Sequence, residues 1–203
     1  KATALVTARL YVLAYHRVDT PDHWPWLNPG LISATPEQFE TQMRLIARNY
    51  HPISADDLLY AIAKSQCLPR DSVLVTVDDG YLDFQDFIYP ITKQYHIRPV
   101  LFAPTSHVGR GWFWWDQLYQ AIYLSSLSSI ETPIGKLPLQ KKEDRERAEK
   151  QLSYYLKHLA WDRVATEMEA IRSAANITFD MHRSVLNWEE LRSLDQAGVT
   201  IAA

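Results

Sequence analysis

Ser72-Val73-Leu74-Val75-Thr76-Val77-Asp78-Asp79-Gly80 passes in one step from a dense aliphatic run to two adjacent acids and a glycine. The run does not alternate apolar with polar, so it reads as a strand covered on both faces, the usual condition of a parallel sheet. Its carboxyl end is where α/β folds collect their reactive groups. Two neighbouring anions in a partly dry setting repel each other unless a proton or a cation intervenes. Asp78 and Asp79 are therefore not a core pair. From spacing alone two readings stand: a metal ligand beside a general base, with Gly80 allowing a close turn, or a solvated Asp-Asp-Gly turn that opens a helix.

Outward from this stretch the chain alternates strand and helix. Upstream, Leu10-Tyr11-Val12-Leu13-Ala14-Tyr15 has the same unalternating character and predicts a second strand buried on both faces, ending at His16-Arg17-Val18. Thr35-Pro36-Glu37-Gln38 supplies an N-cap, a proline at the first helical position and a capping-box glutamine, predicting a helix to about Arg48 with Phe39, Met43, Ile46 and Tyr50 on its apolar face. Ser54 with Asp57 repeats the cap for a helix through Leu58, Leu59, Ile62 and Ala63. Downstream, Phe84, Phe87, Ile88, Ile91 and Tyr95 predict a helix that Pro90 must kink or split. Pro99 to Ala103 is a third strand. Short loops in a strand, helix, strand order favour a parallel sheet or barrel with right-handed crossovers.

The pattern changes at Gly111. Trp114 to Leu124, and then Leu152, Tyr155, Leu156, Leu159, Val164, Met168 and Ile171, lie at helical spacing, which predicts a helical insertion over 111–186 within one domain spanning 1–203. The mixed charges of Lys141 to Lys150 read as a solvated helix face. Asn187-Trp188-Glu189-Glu190 caps a last helix with Leu191 and Leu194 inward and Gly198 as its stop, before a strand opening at Val199.

Composition narrows the classes. The 203 residues are 47% hydrophobic and 22% charged, which suits a globular domain rather than a disordered chain. A net charge of −3 offers no basic field for a nucleic-acid backbone. No apolar run approaches the roughly 20 residues of a membrane-spanning helix. The lone Cys67 has no intramolecular partner and leaves the compartment undecided. Seven tryptophans, with Trp24, Trp26, Trp112, Trp114 and Trp115 in or near loops, suit a cleft in which sugar rings stack on indole, or equally the packing of the insertion.

The segment Val73-Leu74-Val75-Thr76-Val77-Asp78-Asp79-Gly80-Tyr81-Leu82-Asp83 resembles the first motif of the NodB-type polysaccharide deacetylases, carbohydrate esterase family 4, usually written TFDDG; Val77 stands where the family has Phe. Phe39 with Gln42, Tyr50 to Ser54, Leu68-Pro69, Tyr89-Pro90, Pro99 to Thr105 and Asn187 through Ile201 resemble its flanking pattern in order. The resemblance implies an incomplete, distorted (β/α) barrel and hydrolysis of N-acetyl groups from amino sugars, on a polysaccharide or oligosaccharide containing N-acetylhexosamine. It implies Asp78 as general base and Asp79 as metal ligand, the metal being zinc first, with cobalt, nickel or manganese also suited. Two ligand histidines would follow just after Ala203, so that this chain alone is expected to bind metal weakly and to be inactive. Leu13-Ala14-Tyr15-His16-Arg17-Val18 is similar to the form in which the motif of the catalytic-acid histidine is permuted to the front, which implies His16 as the acid. Trp115, Asp116 and His107 are candidate substrate contacts, although Asp116 equally suits a helix cap. The compartment stays open between a bacterial cell envelope, secretion and the cytoplasm. Two rivals remain: a Mg²⁺-dependent phosphoryl-transfer enzyme, disfavoured because no Gly-rich phosphate loop is present and the acids are adjacent, and a non-catalytic glycan-binding module that keeps the aromatics and loses the metal.

Overall fold

A computed structural model describes residues 9–109, 113–178 and 182–203. In chain order the elements are β1 (Leu10–Tyr15), β2 (Arg17–Val18), β3 (Ile32–Ala34), α1 (Pro36–Asn49), β4 (His51–Pro52), α2 (Ala55–Ala63), β5 (Ser72–Asp78), α3 (Tyr89–Gln94), β6 (Val100–Phe102), α4 (Trp114–Tyr123), β7 (Ser129–Thr132), β8 (Gly135–Pro138), α5 (Lys142–Lys157), α6 (Trp161–Ala175), α7 (Trp188–Gln196) and β9 (Thr200–Ala202). They fall into two compact units, one of Lys1–His23, Leu31–Gly111 and Ser184–Ala203, the other of Trp24–Gly30 with Trp112–Arg183.

The first unit is built on an all-parallel sheet with β5 at its centre. β1 runs beside β5 along its length, from Leu10 opposite Ser72 to Tyr15 opposite Val77. The other edge of β5 is shared: β4 meets its start, with His51 opposite Ser72, and β6 meets its end, with Asp78 opposite Phe102. β9 then pairs with β6. Among the described strands no pairing joins β9 to β1, consistent with the incomplete barrel expected.

Two covered faces explain the aliphatic density of β5. Val73, Val75 and Val77 point into a core with Phe39, Met43 and Ile46 of α1, Leu101, and Leu191 and Leu194 of α7. Leu74 points the opposite way, against Ile53 and Val100. Each such side chain contributes about 1.5–3 kcal/mol by leaving water. The same expectation fails for β1, where Leu10, Tyr11 and Val12 are exposed, Val12 by 55%. Among the described residues β1 has one strand neighbour, and the end holding Leu13 and Tyr15 packs on the core.

Capping sets the helix starts that the sequence predicts. The Thr35 side chain accepts the Gln38 N–H while Gln38 reaches back to the Thr35 N–H, and Ser54 with Asp57 and Asn187 with Glu190 do the same for α2 and α7. Tyr50, expected on the buried face of α1, is instead its exposed C-terminal cap. The helix predicted through Phe84 to Tyr95 is split at Pro90, as expected. Phe84–Ile88 forms a wide π turn in which the Tyr89 N–H donates to the Phe84 carbonyl, and Pro90 sits in the first turn of α3, where a missing N–H costs nothing.

The second unit has its own core, with Leu118 and Ile122 of α4, Leu152 and Leu156 of α5, and Met168 and Ile171 of α6. Arg145 donates to the Ile122 and Ser125 carbonyls and so satisfies the end of α4. The unit is not purely helical: β7 and β8 form an antiparallel hairpin that turns at Pro133-Ile134, and Gly135, which opens β8, has a φ of +107° that favours glycine. No helix among the described residues is long and apolar enough to cross a membrane.

Candidate active site

Register places the reactive groups. Tyr15 and Val77 are the last partners of the parallel β1 and β5 pair, so the next residue on each strand, His16 and Asp78, must emerge side by side at the carboxyl end of the sheet. The His16 Nε2 lies 4.0 Å from the Asp78 Oδ2, and both side chains stand partly open to solvent. That distance exceeds a hydrogen bond. Two groups so spaced can face a common reacting centre, one taking a proton and the other giving one. The His16 N–H donates to the Ser33 Oγ at 3.0 Å, which ties the histidine backbone to β3.

After Asp78 the chain turns sharply through Asp79, at φ +72°, and Gly80, at φ +64°. Aspartate is among the few side chains that tolerate the left-handed region. Partial burial pushes the Asp79 carboxyl above the ordinary carboxylate range, His16 opposes this, and the Asp78 charge adds to it. The turn is clamped from the far end of its unit: the Leu186 N–H donates to the Gly80 carbonyl at 2.9 Å and the Leu82 N–H to the Ser184 carbonyl at 2.8 Å.

Beneath this mouth lies a cluster that the sequence did not single out. Arg17, one residue after His16, is 1% exposed and reaches two buried carboxylates: its Nε donates to the Asp83 Oδ2 at 3.2 Å and its Nη2 to the Asp19 Oδ2 at 2.6 Å. Its guanidinium lies 5.2 Å from the centre of the Tyr81 ring. The Asp83 Oδ2 also accepts the Val18 N–H at 3.2 Å, while its Oδ1 is buried without a hydrogen-bond partner among the described residues. Asp19 accepts from the Thr20 N–H and lies 2.8 Å from the His23 Nδ1. Desolvation pushes the Asp83 carboxyl up to about 7 against the opposing pull of Arg17. A proton on Asp83 fits a site where one guanidinium faces two buried acids. The only hint in the sequence was the spacing: an arginine and two acids a few residues beyond the ends of two strands.

The other expected site residues have their own surroundings. His107 follows β6 in a turn, its N–H on the Pro104 carbonyl and its Nδ1 3.0 Å from the Ser106 Oγ. Trp115 belongs to the second unit, half-buried and stacked on Phe113 at 4.4 Å. Asp116, also in that unit, is fully buried, and its Oδ1 accepts the Asn28 N–H at 3.1 Å, which fastens the Trp24–Gly30 segment to α4. Trp112 lies outside the described residues.

Asp79, a desolvated carboxylate beside a second one, suits a cation. A full donor set is not assembled, however, since no three His, Cys, Asp or Glu side chains among the described residues converge to hold a metal ion.

A parallel α/β sheet with an acid-rich carboxyl end is the class that fold and site define. No family model matches the chain, and no curated protein matches it. Solved structures do resemble it. They include a de-N-acetylase from Aggregatibacter actinomycetemcomitans, 25% identical over 71% of this chain and 51% of that one with a TM-score of 0.41. Another is the Streptococcus pyogenes deacetylase PplD, 18% identical over 95% of this chain and 81% of that one with a TM-score of 0.45. IcaB from Ammonifex degensii is 20% identical over 83% of this chain and 70% of that one with a TM-score of 0.42. The chain spans about half the length of the first of these. At these scores the likenesses are distant.

Proposed function

We propose that the full-length protein is a polysaccharide deacetylase that hydrolyses N-acetyl groups from amino sugars. The observation that carries this reading is His16 beside Asp78, 4.0 Å apart at the ends of adjacent parallel strands, in the sequence setting of the deacetylase motif. In the proposed reaction Asp78 takes a proton from a water, whose oxygen attacks the acetyl carbonyl. The tetrahedral intermediate collapses as His16 protonates the sugar nitrogen, the carbon–nitrogen bond breaks, and acetate and a free amine leave. Partly open side chains suit both roles, because each group exchanges its proton with solvent between turnovers.

A divalent ion, zinc first, belongs to the proposal. Asp79 would be one of about three protein ligands, the rest coming from outside the described residues. When bound, such an ion supplies Lewis acidity at the acetyl oxygen. Trp115 and His107 are proposed sugar contacts. Asp116 is proposed with them, its buried carboxylate also accepting the Asn28 N–H.

The test is acetate release from N-acetylglucosamine oligomers by the full-length protein, with Asp78→Asn and His16→Ala as controls. Loss of turnover in both folded variants supports the reading, and normal turnover in Asp78→Asn refutes the base assignment.

A further inference from the structure

We infer that Arg17 and Asp83 are positioning residues that set the separation of His16 and Asp78, a role that rests on the acid and base reading above. The two reactive residues belong to strands that end together, but strand pairing stops at Tyr15 and Val77. Beyond that point β1 and β5 no longer pair with each other: Asp78 pairs with Phe102 of β6, and Arg17 and Val18 pair with β3. Asp83 supplies the missing tie. One of its oxygens accepts both the Arg17 Nε and the Val18 N–H, each at 3.2 Å, so the two residues after His16 are fastened to the segment that follows the Asp79-Gly80 turn. Arg17 is held in turn by Asp19 and lies against the Tyr81 ring, which belongs to the same turn.

Burial gives this tie its stiffness. Arg17, Asp19, Tyr81 and Asp83 are each at most 1% exposed, so these bonds compete poorly with water. A surface pair would yield to solvent; releasing this one leaves the Arg17 Nε, the Val18 N–H and the Asp83 carboxyl buried without a partner. The Asp79-Gly80 turn beside the base and the residues that follow the acid are thus joined in one buried cluster. His16 and Asp78 themselves remain partly open and make no hydrogen bond to each other, so the tie beneath them acts on their spacing together with the Asp78–Phe102 pairing and the His16 N–H bond to Ser33.

The experiment compares Asp83→Ala with Asp83→Asn in the full-length protein, by crystallography and by deacetylation kinetics. The Ala variant loses the shared acceptor. Its His16 to Asp78 separation lengthens by about 1 Å or more, and kcat falls at least about tenfold with KM within about twofold of wild type. The Asn variant keeps an amide oxygen for both N–H groups and restores the separation and kcat. A folded Asp83→Ala with the native separation overturns the proposal, as does an Asn variant as impaired as Ala. Should Asp83→Ala fail to fold, Arg17→Lys, which keeps the charge but loses the Nε donor, is read the same way; if neither folds, the cluster is a folding requirement and the positioning role is overturned. If wild type releases no acetate, the proposed function fails, while the crystallographic separation still decides whether the tie exists.

Discussion

Raising the pH should weaken this fold over a range where most carboxylate-bearing proteins gain stability, and Asp83 is the reason. Its carboxyl is 1% exposed, and burial holds it at about 7 against an ordinary 3.8. Between those values the folded protein keeps a proton that the unfolded chain has released. The sign is therefore opposite to that of a salt-bridged aspartate: the contribution is complete below about 3.8 and is lost as pH rises to about 7. At about 1.4 kcal/mol per pH unit the full effect is on the order of 4 kcal/mol, a large share of the roughly 5–15 kcal/mol that holds a domain together. The groups facing Asp83 are Arg17, the Val18 N–H and Asp19, and Asp83→Asn leaves all of them in place while removing the titration. Urea unfolding at successive pH values from 4 to 8 should show the wild type losing stability relative to Asp83→Asn, with the gap opening between those two pKa values. Parallel curves would refute the protonated Asp83 and the charge balance of the whole cluster.

Other outcomes follow from single observations. Arg17→Met leaves two buried carboxylates without their cation and should cost about 3–5 kcal/mol in urea unfolding at neutral pH. Asp79→Gly relieves a left-handed side chain and should raise stability by up to about 1 kcal/mol while abolishing acetate release, the trade expected of a residue kept for chemistry. Thr35→Ala removes one half of a capping box at the start of α1 and should cost about 1 kcal/mol with no change in turnover, since the cap lies on the surface.

Much of this was readable from local signals. Three capping boxes announced α1, α2 and α7 because their chemistry lies within four residues, and the aliphatic density of β5 announced a strand with two covered faces. The same density misled for β1, since composition reports what a strand is made of and not whether a neighbour covers it. The β7–β8 hairpin went unforeseen because its strands are four residues each and their alternation is too brief to outweigh the helical pattern around it. At the candidate site, the strand-end placement of His16 and Asp78 was legible, because parallel register converts two strand ends into one mouth. The Arg17 cluster was not, since its partners stand 2 and 66 residues away and become neighbours only after β1 and β5 pair.

The central claim is that Asp78 is the base at this mouth, and acetate release from N-acetylglucosamine oligomers by full-length Asp78→Asn tests it most directly. A variant that melts like wild type and turns over at least about 100-fold more slowly is the predicted result, whereas a folded variant within about twofold of wild-type turnover would contradict the account.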